Sequence, residues 1–108
     1  MARIRNIKPE FFLHEGLADL PHLHRLAFIG LWTLADKDGR LEDRPKRIKA
    51  ALFPYENIDI ETVLGVLDGS GFIHRYVAAG VACIEIPGFS KHQRPHPKEG
   101  SYGLPSAP

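Results

Sequence analysis

Residues Leu23 to Ala35 read LHRLAFIGLWTLA, and the rest of the chain has to pack around them. This is the only run long enough for a helix and apolar on nearly every side. Leu23, Leu26, Ala27, Leu31 and Leu34 form one stripe at helical spacing, while Phe28, Ile29, Trp32 and Ala35 cover the flanks. A helix apolar over most of its circumference belongs inside a domain, touched on several sides. Interrupted by Arg25 and Gly30, the run is too short to span a bilayer. Gly30 lowers helix propensity, so its expected use is to let another segment approach closely.

Upstream, residues 1 to 19 open with a basic segment, followed by Pro9 and the apolar group Phe11, Phe12 and Leu13. A short helical turn laying these aromatics on the core is expected, with Pro21 in the first turn of the central helix. Downstream, Asp36-Lys37-Asp38-Gly39 stops that helix, and Gly39 is suited to the positive φ of a tight turn. Arg40-Leu41-Glu42 then reads as a short strand. A second helix is expected from about Pro45 to Phe53, with Ile48, Ala51 and Leu52 on one face and Lys46, Arg47 and Lys49 on the other. A third is expected from Asp59 to Asp68, capped by Asp59, with Ile60, Val63, Leu64 and Leu67 at i, i+3, i+4 and i+7. Two alternating runs, Phe72 to Val77 and Val81 to Ile86, flank Ala78-Ala79-Gly80 and read as a hairpin.

The predicted order is helix, short strand, helix, helix, hairpin. It implies an α+β fold, mainly α, of the winged helix-turn-helix type: a three-helix core with a C-terminal β-hairpin wing. The winged domain is expected over residues 1–90, with residues 91–108 a basic, proline-rich tail or linker. That tail either ends the chain loosely or leads into a further domain.

A chain of 108 residues makes one domain with a modest core, and its net charge of +1 says little as a total. The distribution says more. Arg3, Arg5 and Lys8 stand in a first block without an acid. Arg44, Lys46, Arg47 and Lys49 form a second, and Lys91, Arg94 and Lys98 form a third beside His92 and His96. Separated basic blocks in a nearly neutral chain suit nucleic acid; solvated faces without a partner would look the same. The single Cys83 excludes an intrachain disulfide and fits a reducing compartment. Met1 is followed by charges and not by an apolar segment, so a soluble, cytoplasmic protein without a membrane role is expected.

Four blocks carry a family resemblance: MARIRNIKPEFF at the start, GLWTLADKDGRLEDRPKRIKAALFP in the middle, GFIHRY at the hairpin, and IPGFSKHQRPHPK near the end. In this order they resemble the N-terminal domain of phage replication-initiation (replisome-organiser, DnaD-like) proteins. The resemblance implies a winged helix, binding to double-stranded origin DNA, and a separate C-terminal part that engages a helicase, its loader or other copies of the protein. The chain departs from the family at the hairpin tip. Ala78-Ala79-Gly80-Val81-Ala82 lacks the usual charges, so a wing contact with phosphates is not expected.

The third helix presents Glu61, Thr62, Gly65, Val66 and Asp68, a poor set for reading base edges. Asp59 and Glu61 suit its N-terminus and repel a phosphate backbone. The expected DNA-binding residues are Arg3, Arg5, Arg44, Lys46, Arg47, Lys49, Lys91 and His92, with sequence choice from Thr62, Arg75, Gln93 and Arg94. The segment Lys91 to Lys98 has two open readings: a basic arm lying in a groove, or a strap packed back on the core through Phe89. Prolines 95 and 97 keep His92 and His96 off one helical face, and Leu34 and Pro45 occupy positions where a calcium loop starting there needs acids. No Gly-rich phosphate loop or nucleophile motif is present, so neither enzyme activity nor a cofactor is expected. The rival to DNA binding is a protein-interaction or self-association module acting through the third helix and the apolar wing.

Overall fold

The long apolar stretch forms helix α3, His22–Leu34. The structure is a computed structural model and describes residues 2–108. Ala27 and Leu31 are completely buried, and Phe28 and Trp32 nearly so. Leu26 departs from the expected stripe: it is 56 % exposed, because the helix is covered on one broad side and not all round. Gly30 is used as its composition suggested. A Cβ there would lie 2.7 Å from both δ-carbons of Leu52, so the missing side chain lets the next long helix dock on α3.

Two four-residue helices precede it, α1 (Glu10–Leu13) and α2 (Glu15–Ala18). Phe11 delivers its ring to Phe28 and Trp32. Phe12 and Leu13, expected on the core, point outward at 64 % and 79 % exposure, since one helical turn can bury only one of three consecutive side chains. His14 accepts a hydrogen bond at Nδ1 from the Leu17 N–H and so caps α2.

After α3 come β1 (Arg40–Glu42), α4 (Pro45–Leu52), α5 (Ile60–Gly69), β2 (His74–Ala78), β3 (Val81–Glu85) and α6 (Phe89–His92). Asp59 caps α5 through the Thr62 N–H, and the Thr62 hydroxyl donates to the same carboxylate. Those bonds hold the Asp59 carboxyl below its ordinary pKa. The strands form one antiparallel sheet in the order β1-β3-β2. Leu41 and Arg75 flank Ile84 in register. Ile73, Ile84 and Leu41 join the apolar residues of α3 and α5 in a single buried cluster. The described residues thus form a mainly helical α+β domain with six helices and one three-stranded sheet.

The C-terminal residues, expected as a basic, proline-rich tail or linker, are tied to the body. Phe89 is buried, and beyond α6 the chain returns across the body. The Asp36 carboxylate, 2 % exposed, is the hub of that return. Its Oδ1 accepts from the Asp38 and Arg40 N–H groups, and its Oδ2 from the Tyr102 N–H and the Ser101 hydroxyl. Further on, the Tyr76 hydroxyl donates to the Pro105 carbonyl at 2.6 Å. Cys83, on the same sheet face as Tyr76, has no exposed surface, and burial pushes its thiol pKa up.

At the hairpin tip Ala79 (φ 52°) precedes Gly80 (φ 75°), the two positive φ values of a type I′ turn. Alanine is strained in the left-handed region, where asparagine is tolerated far better. Ala79→Asn is expected to stabilise the domain by about 0.5–1 kcal/mol, visible as a higher urea midpoint at unchanged m-value. A lower midpoint would mean that the turn has relaxed away from this geometry.

Candidate nucleic-acid interface

The first and third basic blocks come together. Residues 2–8 and 91–99 run past each other in opposite directions, and their pairing starts with Gln93. Its Nε2 donates to the Asn6 carbonyl and its Oε1 accepts from the Asn6 N–H, both at 2.8 Å. The amide side chain thus replaces a neighbouring strand, and it is buried. On one side of this pair Lys8 donates through Nζ to the Lys91 carbonyl at 3.2 Å. On the other, Arg5 meets Glu99 in a two-pronged ion pair at 2.8 and 2.6 Å. The Arg3 N–H anchors the segment to the Thr33 carbonyl near the end of α3.

Arg5 is therefore a different kind of residue from the one expected. Its side chain is 3 % exposed. Besides Glu99, it donates to the carbonyls of Trp32 and Ala35, which the end of α3 leaves without helical partners. Its guanidinium also lies 5.0 Å from the centre of the Phe89 ring. Arg5 is consumed inside the protein and offers nothing to a phosphate. Gln93 is likewise committed to Asn6. Of the two readings of residues 91–98, the strap describes Phe89 and Gln93, whereas the side chains of Lys91, His92 and Arg94 remain exposed.

The ion pair has an electrostatic consequence. Glu99 is the only acid in residues 2–8 and 91–99, and Arg5 neutralises it inside the protein. Arg3, Lys8, Lys91, Arg94 and Lys98 are left exposed, and none is in an ion pair among the described residues. Arg3, Arg94 and His96 share the wall of a hollow of about 400 Å³. The result is a two-stranded basic ribbon, stapled by Asn6–Gln93 and Arg5–Glu99.

The second block stands apart. Arg44, Lys46 and Arg47 are exposed at the start of α4, with Lys49 half-buried; Arg44 is paired with Glu42 at 2.8 Å. The chain enters α4 beside Ala82, whose carbonyl accepts from the Asp43 N–H, whereas the ribbon follows Ile86, whose N–H donates to Gly39. From Ala82 to Ile86 the central strand covers about 13 Å. The basic surface is thus a ribbon at one end of β3 and a separate α4 cluster at the other, not the single strip that the three blocks could have made.

Two residues expected to choose sequence are internally engaged. Arg75 makes two hydrogen bonds to Asp43 (2.7 and 3.0 Å) and two to Glu61 (2.7 and 3.3 Å). The Asp43 bonds foremost, then those to Glu61, raise its guanidinium pKa above the ordinary value. This arginine fastens β2 to the entry of α4 and the first turn of α5. Thr62 is occupied in the Asp59 cap. Arg75 cannot reach a base without giving up these four bonds, whereas Thr62 is exposed but has its hydroxyl proton committed to Asp59. Among the described residues, no three His, Cys, Asp or Glu side chains are grouped to hold a metal ion, and no helix is long and apolar enough to cross a membrane.

Lys8 and Lys98, read in the sequence as members of the first and third basic blocks, both join the ribbon. Their membership depends on a pairing between residues 94 positions apart, which no local pattern announces. Compared with protein-family models, with curated proteins and with solved structures, the chain matches none.

Proposed function

We propose that this is a non-enzymatic winged helix-turn-helix domain that holds the backbone of double-stranded DNA through its terminal basic ribbon. The observation that carries the proposal is the charge left on the ribbon. Five exposed cations are drawn together while the one acid within the ribbon's two segments is cancelled by a buried arginine. The element order and the β1-β3-β2 sheet favour the winged-helix class, and the resemblance to phage replication-initiation domains favours a role at an origin. Lys46 and Arg47 on α4 supply a second, separate set of phosphate contacts. Helix α5 is not the reading element, because Asp59 and Glu61 crowd its N-terminus and Arg75 is consumed there. Binding governed by backbone contacts has weak sequence preference and a steep salt dependence.

Fluorescence anisotropy with labelled duplex DNA across a salt series tests this. The combined variant Arg3→Ala/Lys91→Ala/Arg94→Ala is expected to flatten the slope of log K against log salt by about 2–3, near 0.9 for each phosphate no longer neutralised. Lys46→Ala/Arg47→Ala is expected to flatten it less. An unchanged slope in the ribbon variant would remove the ribbon from DNA binding.

A second role is favoured by the wing. Its tip is uncharged and Val77 is 65 % exposed, which suits a protein surface better than a phosphate backbone. A partner such as a second copy, a helicase or a helicase loader would contact the domain there. Light scattering on wild type and Val77→Glu separates the self-association version: a strict monomer at high concentration in both counts against it.

A further inference from the structure

Beside the ribbon lies a groove of about 1140 Å³, larger than the roughly 300–1,000 Å³ typical of small-molecule pockets. It runs between the α1–α2 segment and the α6 end of the chain. Phe11, Phe28, Trp32 and Phe72 contribute to its lining. Phe11 and Phe72 are only half-buried, so part of each ring remains accessible. The two rims differ in charge. Of its lining residues, Lys8 and His92 belong to the ribbon segments and Glu10 and Asp19 to the α1–α2 segment.

We propose that this groove takes unpaired bases of single-stranded nucleic acid whose phosphates lie along the ribbon. The proposal rests on the ribbon being a phosphate-binding surface and adds the form of the ligand. Charge complementarity selects the occupant and its orientation: an anionic backbone follows the Lys8–His92 rim, is turned away by Glu10 and Asp19, and directs its bases toward the aromatic floor. Bases stack on aromatic side chains without sequence choice, since every base has a π-face. A duplex keeps its bases stacked on each other, so it meets the ribbon and leaves the groove empty.

Trp32 is the only tryptophan in the chain and lines the groove, so its emission reports what enters. Three probes are titrated into the intact 108-residue chain: a short oligothymidylate, an abasic oligomer of equal length, and a blunt duplex. The oligothymidylate is expected to quench Trp32 and to bind about tenfold or more tightly than the abasic strand, as stacking of one or two bases requires. The duplex should bind without quenching. Phe11→Leu keeps the floor apolar but removes one ring. Ser70→Leu narrows the groove from an exposed position and serves if Phe11→Leu unfolds. Either should abolish the preference over the abasic strand and leave duplex binding unchanged.

Equal binding of the two single strands with silent Trp32 would overturn the groove proposal and leave the ribbon standing. Failure of all three probes to bind would remove both. Quenching by an acidic, apolar peptide but not by oligothymidylate, or a Trp32 shift with protein concentration alone, would place a different occupant in the groove and equally overturn it.

Discussion

Replacing Arg5 by alanine is expected to destabilise the domain by about 3–5 kcal/mol, the usual result of removing one partner from a buried ion pair. For a domain with about 5–15 kcal/mol in total, that is a large share, and it lowers Tm by on the order of 15 °C. The reason lies in what remains. Glu99, 6 % exposed, keeps its carboxylate without a hydrogen-bonded counter-charge, and two carbonyls at the end of α3 lose their donor. Lysine at this position restores the charge but not the fork, so Arg5→Lys recovers only part of the loss.

Acid pH distinguishes this account from simple loss of packing. In the wild type the Arg5 hydrogen bonds hold the Glu99 carboxyl below its ordinary pKa. A carboxyl with a depressed folded pKa contributes stability that is fully present above its unfolded value, near 4.5. That contribution is lost as pH falls through the folded value. In Arg5→Ala, burial without a partner raises the Glu99 pKa instead, so mild acid narrows the gap between variant and wild type. Denaturant titrations at neutral pH and near pH 4 measure this. A gap that stays constant, or an Arg5→Ala variant within about 1 kcal/mol of wild type, would refute the buried pair as the staple of the ribbon.

Gly39→Ala is the second large effect, expected at about 2–5 kcal/mol from two additive causes. The residue sits at φ +80°, which costs an L-residue roughly 1–2 kcal/mol. Its added Cβ would also lie 2.6 Å from the Cβ of Phe89 and 2.8 Å from its Cγ. Those atoms are near the backbone and cannot swing aside, so overpacking adds about 1–3 kcal/mol. Asparagine tolerates positive φ but carries the same Cβ. Gly39→Asn should therefore lose most of the strain and keep the clash, and urea melts of both variants separate the two causes. Because Phe89 seats α6 and the start of the ribbon, Gly39→Ala should also weaken duplex binding in the anisotropy assay. A cost below about 1 kcal/mol for Gly39→Ala would show that Phe89 is less firmly placed than its approach to Gly39 implies.

Much of the fold was legible because its signals are local. The apolar run fixed α3 to within one residue at each end, and the i, i+3, i+4, i+7 pattern with Asp59 fixed α5. The alternating runs around Ala78-Ala79-Gly80 marked the hairpin. The need for a small residue at position 30 was legible too, though not that Leu52 fills the space. Leu26, Phe12 and Leu13 were misplaced because periodicity gives the side of a helix that is apolar, not how much of that side a neighbour covers.

The basic blocks were equally plain in the sequence, but their meaning was not. A charge in a linear pattern looks the same whether it reaches solvent or closes a helix end. Arg5, Gln93 and Arg75 were ranked with Arg3 and Arg94. The meeting of the two terminal segments divides them, giving Glu99 to Arg5 and Asn6 to Gln93, while Asp43 and Glu61 take Arg75. Spacing and composition alone were enough to place α3, α4, α5 and the hairpin and to count the positive charges, but not to place α2 or α6. Which charges face outward, which are cancelled, and where a groove opens beside them was decided by contacts across nearly the whole length of the chain. Solvation and pairing energies depend on what lies within a few ångströms, and that neighbourhood exists only once the termini have met.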